Sequence, residues 1–556
     1  MNREASAMFE VAELGHKLGK EEFSEKAPLL HTNLLQVQRE LRESKHSVII
    51  IVSGVEGAGK GDVVNRLNEW LDSRGMKTTA FWDQTDEQAM RPRYWRFWRA
   101  MPPRGSIGVM FGSWYTKPII DRVFDHIDEA EYERRLQEIV ELEHMLTSDK
   151  VVIIKLWFHL TQDRVEKQMK SDAKKKGEKL RTDPYTKKYS RQFEAFLKVS
   201  ETAIRTTDKG IAPWHVIEAA DPQYRDFCTG QIILDTLRAA LDKDAEKFEQ
   251  VEAGKAAKAV KAAMAKADIE SGKPAGKNGK NGKNGKKAAK AAALQAEKIA
   301  PAPAKVAGKS IKVPSRSDLT VLDEVDLTGK VEDKAYKESL QKWQSQLQLL
   351  TWEARKQKRS VVIVFEGWDA AGKGSTIRRL TQAIDARLFQ VISIAAPTDE
   401  ERAQHYLWRF WRHLPMAGYL TIYDRSWYGR VLVERVEKFT APEDWQRGYT
   451  EINLFEQQLN EHGIIVLKFW LHLSPEEQLR RFKEREQTPW KQHKITEEDW
   501  RNRERWDDYK LAINDMVQHS STNIAPWHLV PAEDKKFGRI DVLKTVCKTL
   551  RRALKS

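Results

Sequence analysis

The stretch GWDAAGKGST, residues 367–376, places four residues between Gly367 and Gly372, with Lys373 directly after the second glycine. Glycines let successive backbone N–H groups wrap phosphate oxygens, and a lysine at this position adds a mobile positive charge. Gly374 follows where a serine or threonine would reach a magnesium ion, and Ser375 and Thr376 come next, so that hydroxyl is displaced. A second stretch, LTIYDRSWYGR, carries Asp424 at the end of an apolar run, followed by Arg425 and Arg430. Asp369 lies inside the glycine loop. Two carboxylates converging on a lysine and a phosphate pocket can hold Mg2+ between phosphoryl groups, with Mn2+ as a substitute. The alternatives are a helix cap for Asp424 and a loop-stabilising turn for Asp369. A third stretch, SPEEQLRRFKEREQTPWKQHK, carries Arg480, Arg481, Lys483, Arg485, Lys491 and Lys494. Basic side chains there can close over phosphates as a lid, or form a solvated helix face. The 14 histidines are scattered, with no Ser-His-Asp pattern and no metal-spaced group; His472, at a strand end, reads as structural.

These residues need a scaffold that brings the ends of several strands to one edge. The apolar runs VVIVF (361–365), VISIA (391–395), YLTIY (419–423), IIVLKFWL (464–471) and HLV (528–530) predict strands, and their β-branched continuity predicts burial on both faces. Longer polar stretches between them read as helices, and another helix is expected near Lys334–Lys356 before the first strand. Strand, glycine loop, lysine and helix in that order make a P-loop in a parallel α/β sandwich, where a carboxylate at a strand's C-terminal tip faces the ligand.

The whole arrangement occurs twice. At an offset of 313 residues, SVIIIVSGVEGAGKG (47–61) lies on SVVIVFEGWDAAGKG (360–374), WRFWR on WRFWR, SWY on SWY, KLWFHL on KFWLHL and IAPWHVI on IAPWHLV. The chain is a duplicated domain. The first copy has lost chemistry: Asp369 corresponds to Glu56, Ser375 to Asp62, Thr376 to Val63, Asp424 to Phe111 and Arg425 to Gly112. Arg480 and Arg481 become Lys167 and Gln168. A like charge at Asp62 would oppose a bound phosphate, so the first copy is expected to be inactive and to serve as a built-in subunit. Recurrence of the WRFWR block in both copies favours packing or domain pairing over base stacking for Trp408 and Trp411.

The chain has 556 residues, 19 tryptophans and a formal charge of +14, enough for more than one core. Between Lys255 and Lys309 there are 14 lysines against three acids, so most of the excess charge lies in one Lys/Ala/Gly-rich segment. That composition predicts a flexible linker over 246–312 between domains at 1–245 and 313–556. It reads as a solvated spacer, or as a recruiter of an acidic polymer. Two cysteines, no apolar membrane-length run and an early-charged N-terminus lead to the expectation of a cytoplasmic protein without a membrane partner.

GWDAAGKG, LWRFWRHLP, YDRSWYGRVLVERV, KFWLHLSPEEQLRRF and IAPWHLVPAEDK together resemble the polyphosphate kinase 2 family, and the tandem layout resembles its two-domain members. The resemblance covers nearly the whole second copy and, more weakly, the first. It implies a thymidylate-kinase-like P-loop fold, three-layered and with parallel sheets, in both domains. It also implies Mg2+-dependent phosphoryl transfer between inorganic polyphosphate and a nucleotide. The first expectation is AMP to ADP; diphosphate acceptors (ADP or GDP), GMP, and ATP as donor are the alternatives. Asp369 and Asp424 would organise the metal and Lys373 would clamp phosphate, with Arg425 and Arg430 as further phosphate contacts and Arg481 and Arg485 closing above. Single-domain members assemble as oligomers, so the tandem implies an intramolecular pseudo-dimer, with homo-oligomers as a further expectation. Two departures stand out: Ser375 replaces the usual second glycine after GKG, and TPWKQHK lacks the usual acidic residue before its proline. Nucleic acid is not an expected partner, since Asp369, Lys373 and Asp424 are retained together.

Overall fold

Each half is built on a five-stranded, all-parallel sheet, and the two sheets share one strand order and one register. The computed structural model describes residues 7–81, 83–167, 192–243, 320–489, 492 and 495–555. The proposed linker over 246–312 lies outside them. In the first half, helix α1 (Lys20–Glu43) precedes β1 (Ser47–Gly54), and α2 (Lys60–Trp70) follows the glycine loop. Then come β2 (Met76–Ala80), β3 (Ile107–Phe111), α3 (Glu129–Ser148), β4 (Val151–His159) and β5 (Trp214–Glu218). The second half repeats this with α4 (Asp333–Lys356), β6 (Val361–Gly367), α5 (Lys373–Thr381), β7 (Phe389–Ser393), β8 (Leu420–Asp424), α6 (Pro442–Glu461) and β9 (Ile465–His472). It continues with α7 (Pro475–Gln487), α8 (Glu497–Glu504), α9 (Trp506–Ser520), β10 (Trp527–Pro531) and α10 (Lys535–Ala553).

Strand order is β2-β3-β1-β4-β5 in one half and, read from the matching edge, β7-β8-β6-β9-β10 in the other. Val48 pairs with Ile107 and Val152; Val361 pairs with Leu420 and Ile465, the same register 313 residues on. The central strands β1 and β6 are buried almost throughout, as their unbroken Val/Ile runs require when helices cover both faces. The run VISIA departs from expectation. Its strand is β7, shifted two residues toward the N-terminus, and it lies at the sheet edge with Val391 40% exposed. An apolar run fixes a strand but not its place in the sheet, and an edge strand is only half covered.

A buried polar cluster recurs in both halves. Lys468 Nζ on β9 donates to Glu456 Oε2 (2.8 Å), Tyr428 Oη (2.8 Å) and the Ser520 carbonyl (2.7 Å). Its counterpart Lys155 donates to Glu143, Tyr115 and the Thr207 carbonyl. Burial pulls Lys468 down and Glu456 up from their ordinary pKa values, and the shared hydrogen bonds oppose that drift. Each cluster also receives a tryptophan indole N–H from the SWY segment, Trp114 onto Glu143 and Trp427 onto Glu456. Both clusters therefore anchor the loop that leaves the third strand.

The halves belong to one compact unit and pair through equivalent residues. Trp98 and Trp411, which correspond at the 313 offset, stack on each other with centroids 5.7 Å apart. Arg104 N–H donates to the Ala403 carbonyl at 2.8 Å, and Gln404 reaches the Met101 carbonyl. Arg134 pairs with Glu461 at 3.1 Å, and its counterpart Arg447 pairs with Asp149 at 3.3 Å. A residue stacking on its own counterpart is the signature of a two-fold contact, here between repeats of one chain. The WRFWR block is thus packing and domain pairing. Among the described residues no helix is long and apolar enough to cross a membrane.

Candidate active site

The cleft lies in the second half, at the C-terminal edge of its sheet, and encloses about 800 Å³. Gly367 ends β6 with φ 149° because a side chain there would strike the Leu471 backbone, and Gly372 takes φ 105° to launch α5. Lys373, the first residue of α5, donates to the Gly367 and Trp368 carbonyls at 2.7 and 3.2 Å. An ammonium has three donors. Two are spent holding the loop, and the third is left for the cleft that Lys373 lines.

Asp424 ends β8 and lines the same cleft as Asp369. Asp369 Oδ2 accepts from Asn502 Nδ2 on α8 at 3.0 Å, and Oδ1 lies 3.5 Å from Arg425 Nη2. Tyr509 on α9 donates to Asn502 Oδ1 (3.2 Å), which fixes the orientation of the amide. Gln478 on α7 donates to the Asp369 carbonyl (3.2 Å). Arg425 stands in a left-handed turn, φ 66°, a conformation that costs a non-glycine residue roughly 1–2 kcal/mol. Its counterpart Gly112 takes φ 80° in the same turn. The second half accepts this strain and so sends a guanidinium into the cleft.

Further cations come from distant parts of the chain. Arg378 and Arg379 on α5, Arg485 on α7, and Lys535 and Arg539 on α10 all line the cleft. Arg539 reaches Ser375 Oγ at 3.1 Å. Ser375 Oγ also donates to the Gly372 carbonyl. Burial, with Arg481 nearby, pushes Lys535 down to about 8. Trp368 lies face to face with Trp506, centroids 3.7 Å apart, and donates its indole N–H to His472 Nδ1. Burial pushes His472 down to about 4, so it accepts that bond as a neutral ring and is structural.

Several expected site residues are committed to other partners. Arg481 borders the cleft, but it is 2% exposed and donates from its Nη atoms to the carbonyls of Ala370, Ala371, Ala532 and Glu533 and from Nε to Glu477. All five of its N–H groups are used, so it buttresses the loop and has none left for phosphate. Arg480, one residue earlier, points outward to Glu477 and Glu484 and does not line the cleft. Adjacent residues on a helix point about 100° apart, and on α7 this sends Arg480 to solvent and Arg481 against the loop. Arg430 stacks on Tyr406 and pairs with Thr440 and Glu434, away from the cleft lining. Thr376 is buried and donates to the Gly372 carbonyl, which leaves no free hydroxyl proton for the cleft. Gly374 and Arg485 line the cleft. Lys491 and Lys494 lie outside the described residues. Residues missed in the sequence are Asn502, Arg378, Arg379, Lys535 and Arg539. The two arginines of α5 were legible as basic residues one turn past the loop; the rest come from elements that only the fold brings near.

The first-half loop is closed by its own side chains. Lys60 spends all three donors, on the Gly54 and Val55 carbonyls and on Glu56 Oε2 (2.9 Å), and holds Glu56 below the usual carboxylate range. Arg225 is buried so close to Gly59 that a Cβ there would lie 1.7 Å from its Nη1. Asp62 turns outward, its side chain 76% exposed, 3.9 Å from Arg225. Asp62 is thus turned away from the loop it was expected to repel phosphate from, and the loop itself is filled by the internal pairing of Lys60 and by Arg225.

A parallel α/β sheet with a glycine loop, a lysine starting the next helix, strand-tip carboxylates and a cationic cleft defines a phosphotransferase of the phosphate-binding-loop class. The sequence profile of polyphosphate kinase 2 matches residues 17–245 and again 330–556. The chain belongs to the polyphosphate kinase 2 family. It is 42% identical over 549 residues to a polyphosphate:AMP phosphotransferase of Pseudomonas aeruginosa, covering 99% of both chains. It is 33% identical over 541 residues to one of Acinetobacter johnsonii, covering 94% of this chain and 96% of that one. A crystal structure of a polyphosphate kinase 2 from Pseudomonas aeruginosa superposes with a TM-score of 0.80 at 40% identity, over 99% of this chain and all of that one (100%).

Proposed function

We propose that the second half transfers a phosphoryl group from inorganic polyphosphate to AMP, giving ADP. The observation that carries this reading is the cleft itself, with Lys373 and Arg425 beside two carboxylates and a wall of further cations. Full-length similarity to relatives named polyphosphate:AMP phosphotransferases supports AMP as acceptor. The acceptor oxygen belongs to an already ionised phosphate, so no general base is needed. The cleft must align acceptor and donor and offset the charge crowded between them. The spare N–H of Lys373 and the guanidinium of Arg425 supply that charge at the transferred group. The basic residues of α5 and α10 hold the remaining chain of phosphates. Asp369, already oriented by Asn502, and Asp424 fit a hydrated Mg2+ or Mn2+, which needs only one or two protein carboxylates beside water and phosphate oxygens. When bound it would neutralise phosphoryl oxygens. The first half serves as the inactive partner subunit. The two domains are taken as 1–245 and 313–556, in a cytoplasmic enzyme.

The test is incubation with AMP, Mg2+ and polyphosphate in the absence of ATP. ADP is the expected product. ADP only when ATP replaces polyphosphate would overturn the reading in favour of an ATP-dependent nucleotide kinase. Parallel reactions with ADP, GMP and GDP rank the acceptors, a comparison motivated by a GDP-polyphosphate phosphotransferase of Mycobacterium tuberculosis, 37% identical over 221 residues covering 40% of this chain and 75% of that one.

A further inference from the structure

One buried acid near the site has no part in the chemistry described so far. Glu366, the residue before Gly367 on β6, is only 6% exposed and does not line the cleft. It accepts a hydrogen bond from Ser426 Oγ at 2.8 Å. Lys373 and Arg425 are the cations whose fields act on it, and burial pushes its carboxyl above the usual range. Ser426 Oγ in turn accepts from Tyr428 N–H, and Arg425 N–H donates to the Phe365 carbonyl at 3.0 Å. The left-handed turn at Arg425 is thus gripped on both sides by consecutive residues of β6, through the backbone of Phe365 and the side chain of Glu366.

The first half supplies an internal comparison. It keeps the buried Lys155, Glu143 and Tyr115 cluster and the serine cap, Ser113 Oγ accepting from Tyr115 N–H at 3.3 Å. At the Glu366 position it has Ser53, with Gly112 at the turn and Phe111 for the strand-tip acid. The SWY turn therefore forms without a carboxylate beneath it. What disappears together with that carboxylate is the arginine in the left-handed position.

We infer that Glu366 is a positioning residue for phosphoryl transfer: through Ser426 it fixes the turn that aims the Arg425 guanidinium at the transferred group. The inference rests on the phosphotransferase reading above. The grip acts on Arg425 and not on the acceptor site, so its loss lowers kcat and spares AMP binding.

The test compares the full-length wild type with Glu366→Ala, which removes the acceptor of the bridge, and with Ser426→Ala, which removes its donor and keeps the acid. Steady-state ADP formation from AMP and polyphosphate is read together with Tm. The expected result is a kcat at least tenfold lower in both variants, with KM for AMP within twofold of wild type. Wild-type kcat in either folded variant overturns the inference. So does a loss of kcat that is matched by a rise in KM for AMP. If Glu366→Ala does not fold, Ser426→Ala alone decides by the same criteria. A wild type that makes no ADP is a failure of the phosphotransferase reading, and the wild-type arm shows it separately.

Discussion

Arg480 and Arg481 are neighbours of the same type, yet the structure assigns them opposite consequences on substitution. Arg481→Gln removes a guanidinium that supplies five hydrogen bonds, four of them to main-chain carbonyls of the glycine loop and of the segment after β10. Each carbonyl left unsatisfied in the interior costs about 1–3 kcal/mol. Glutamine can satisfy one or two of them, and relaxation recovers part of the rest. A net loss of about 3–5 kcal/mol follows, the range measured when one partner of a buried ionic group is removed. At roughly 2–4 °C per kcal/mol for a domain of this size, Tm should fall by about 6–20 °C. Arg480→Gln, whose side chain is 61% exposed, should stay within about 0.5 kcal/mol, a shift of no more than ~2 °C. Thermal unfolding of the two variants in parallel, with kcat and KM for polyphosphate, is the assay. A Tm for Arg481→Gln within about 2 °C of wild type, accompanied by a raised KM for polyphosphate, would refute the buttress and return Arg481 to direct phosphate binding.

Three further outcomes are expected. Lys373→Ala should abolish ADP formation, whereas Lys60→Ala should leave kcat within about twofold, because Lys60 already spends its donors on its own loop; equal losses from both would show a second working site. Burial pushes Lys535 down to about 8, so its positive charge is present below that pH and is lost as pH rises through it. The kcat/KM for polyphosphate should therefore decline above pH 8, and Lys535→Arg should flatten that decline; a pH profile identical in the two proteins refutes the assignment. Asp424→Asn should lose activity by orders of magnitude while keeping Tm, and adding Mg2+ in excess should restore little of it; full rescue by metal would move the role of metal holder to another residue.

Some of this was legible without coordinates. The 313-residue offset established the duplication, and the strand–loop–lysine–helix order placed Lys373 and Asp369 at one sheet edge, because a parallel α/β unit has few other ways to bury its strands. The replacement of Asp424 by Phe111 showed from residue chemistry alone which half lacks the strand-tip acid. A lone acid closing the apolar run VVIVFE was also visible, and burial makes such a residue informative; its bridge to Ser426 was not.

Tertiary structure decided which charges share the cleft. Asn502 meets Asp369 across 133 residues and Arg539 meets Ser375 across 164, and no local pattern encodes such pairs. It also decided direction. The helical period says that Arg480 and Arg481 diverge, but only the packing of α7 shows that Arg481 is the one turned inward. The same holds for the first-half loop, where sequence shows Asp62 and only the fold brings Arg225 onto Gly59. Residue types and spacing determine the chemistry a chain can perform and the elements it must form, because those depend on local geometry and burial. Which of several like charges is free to perform that chemistry depends on where each donor is already spent, and that is a property of the packed structure.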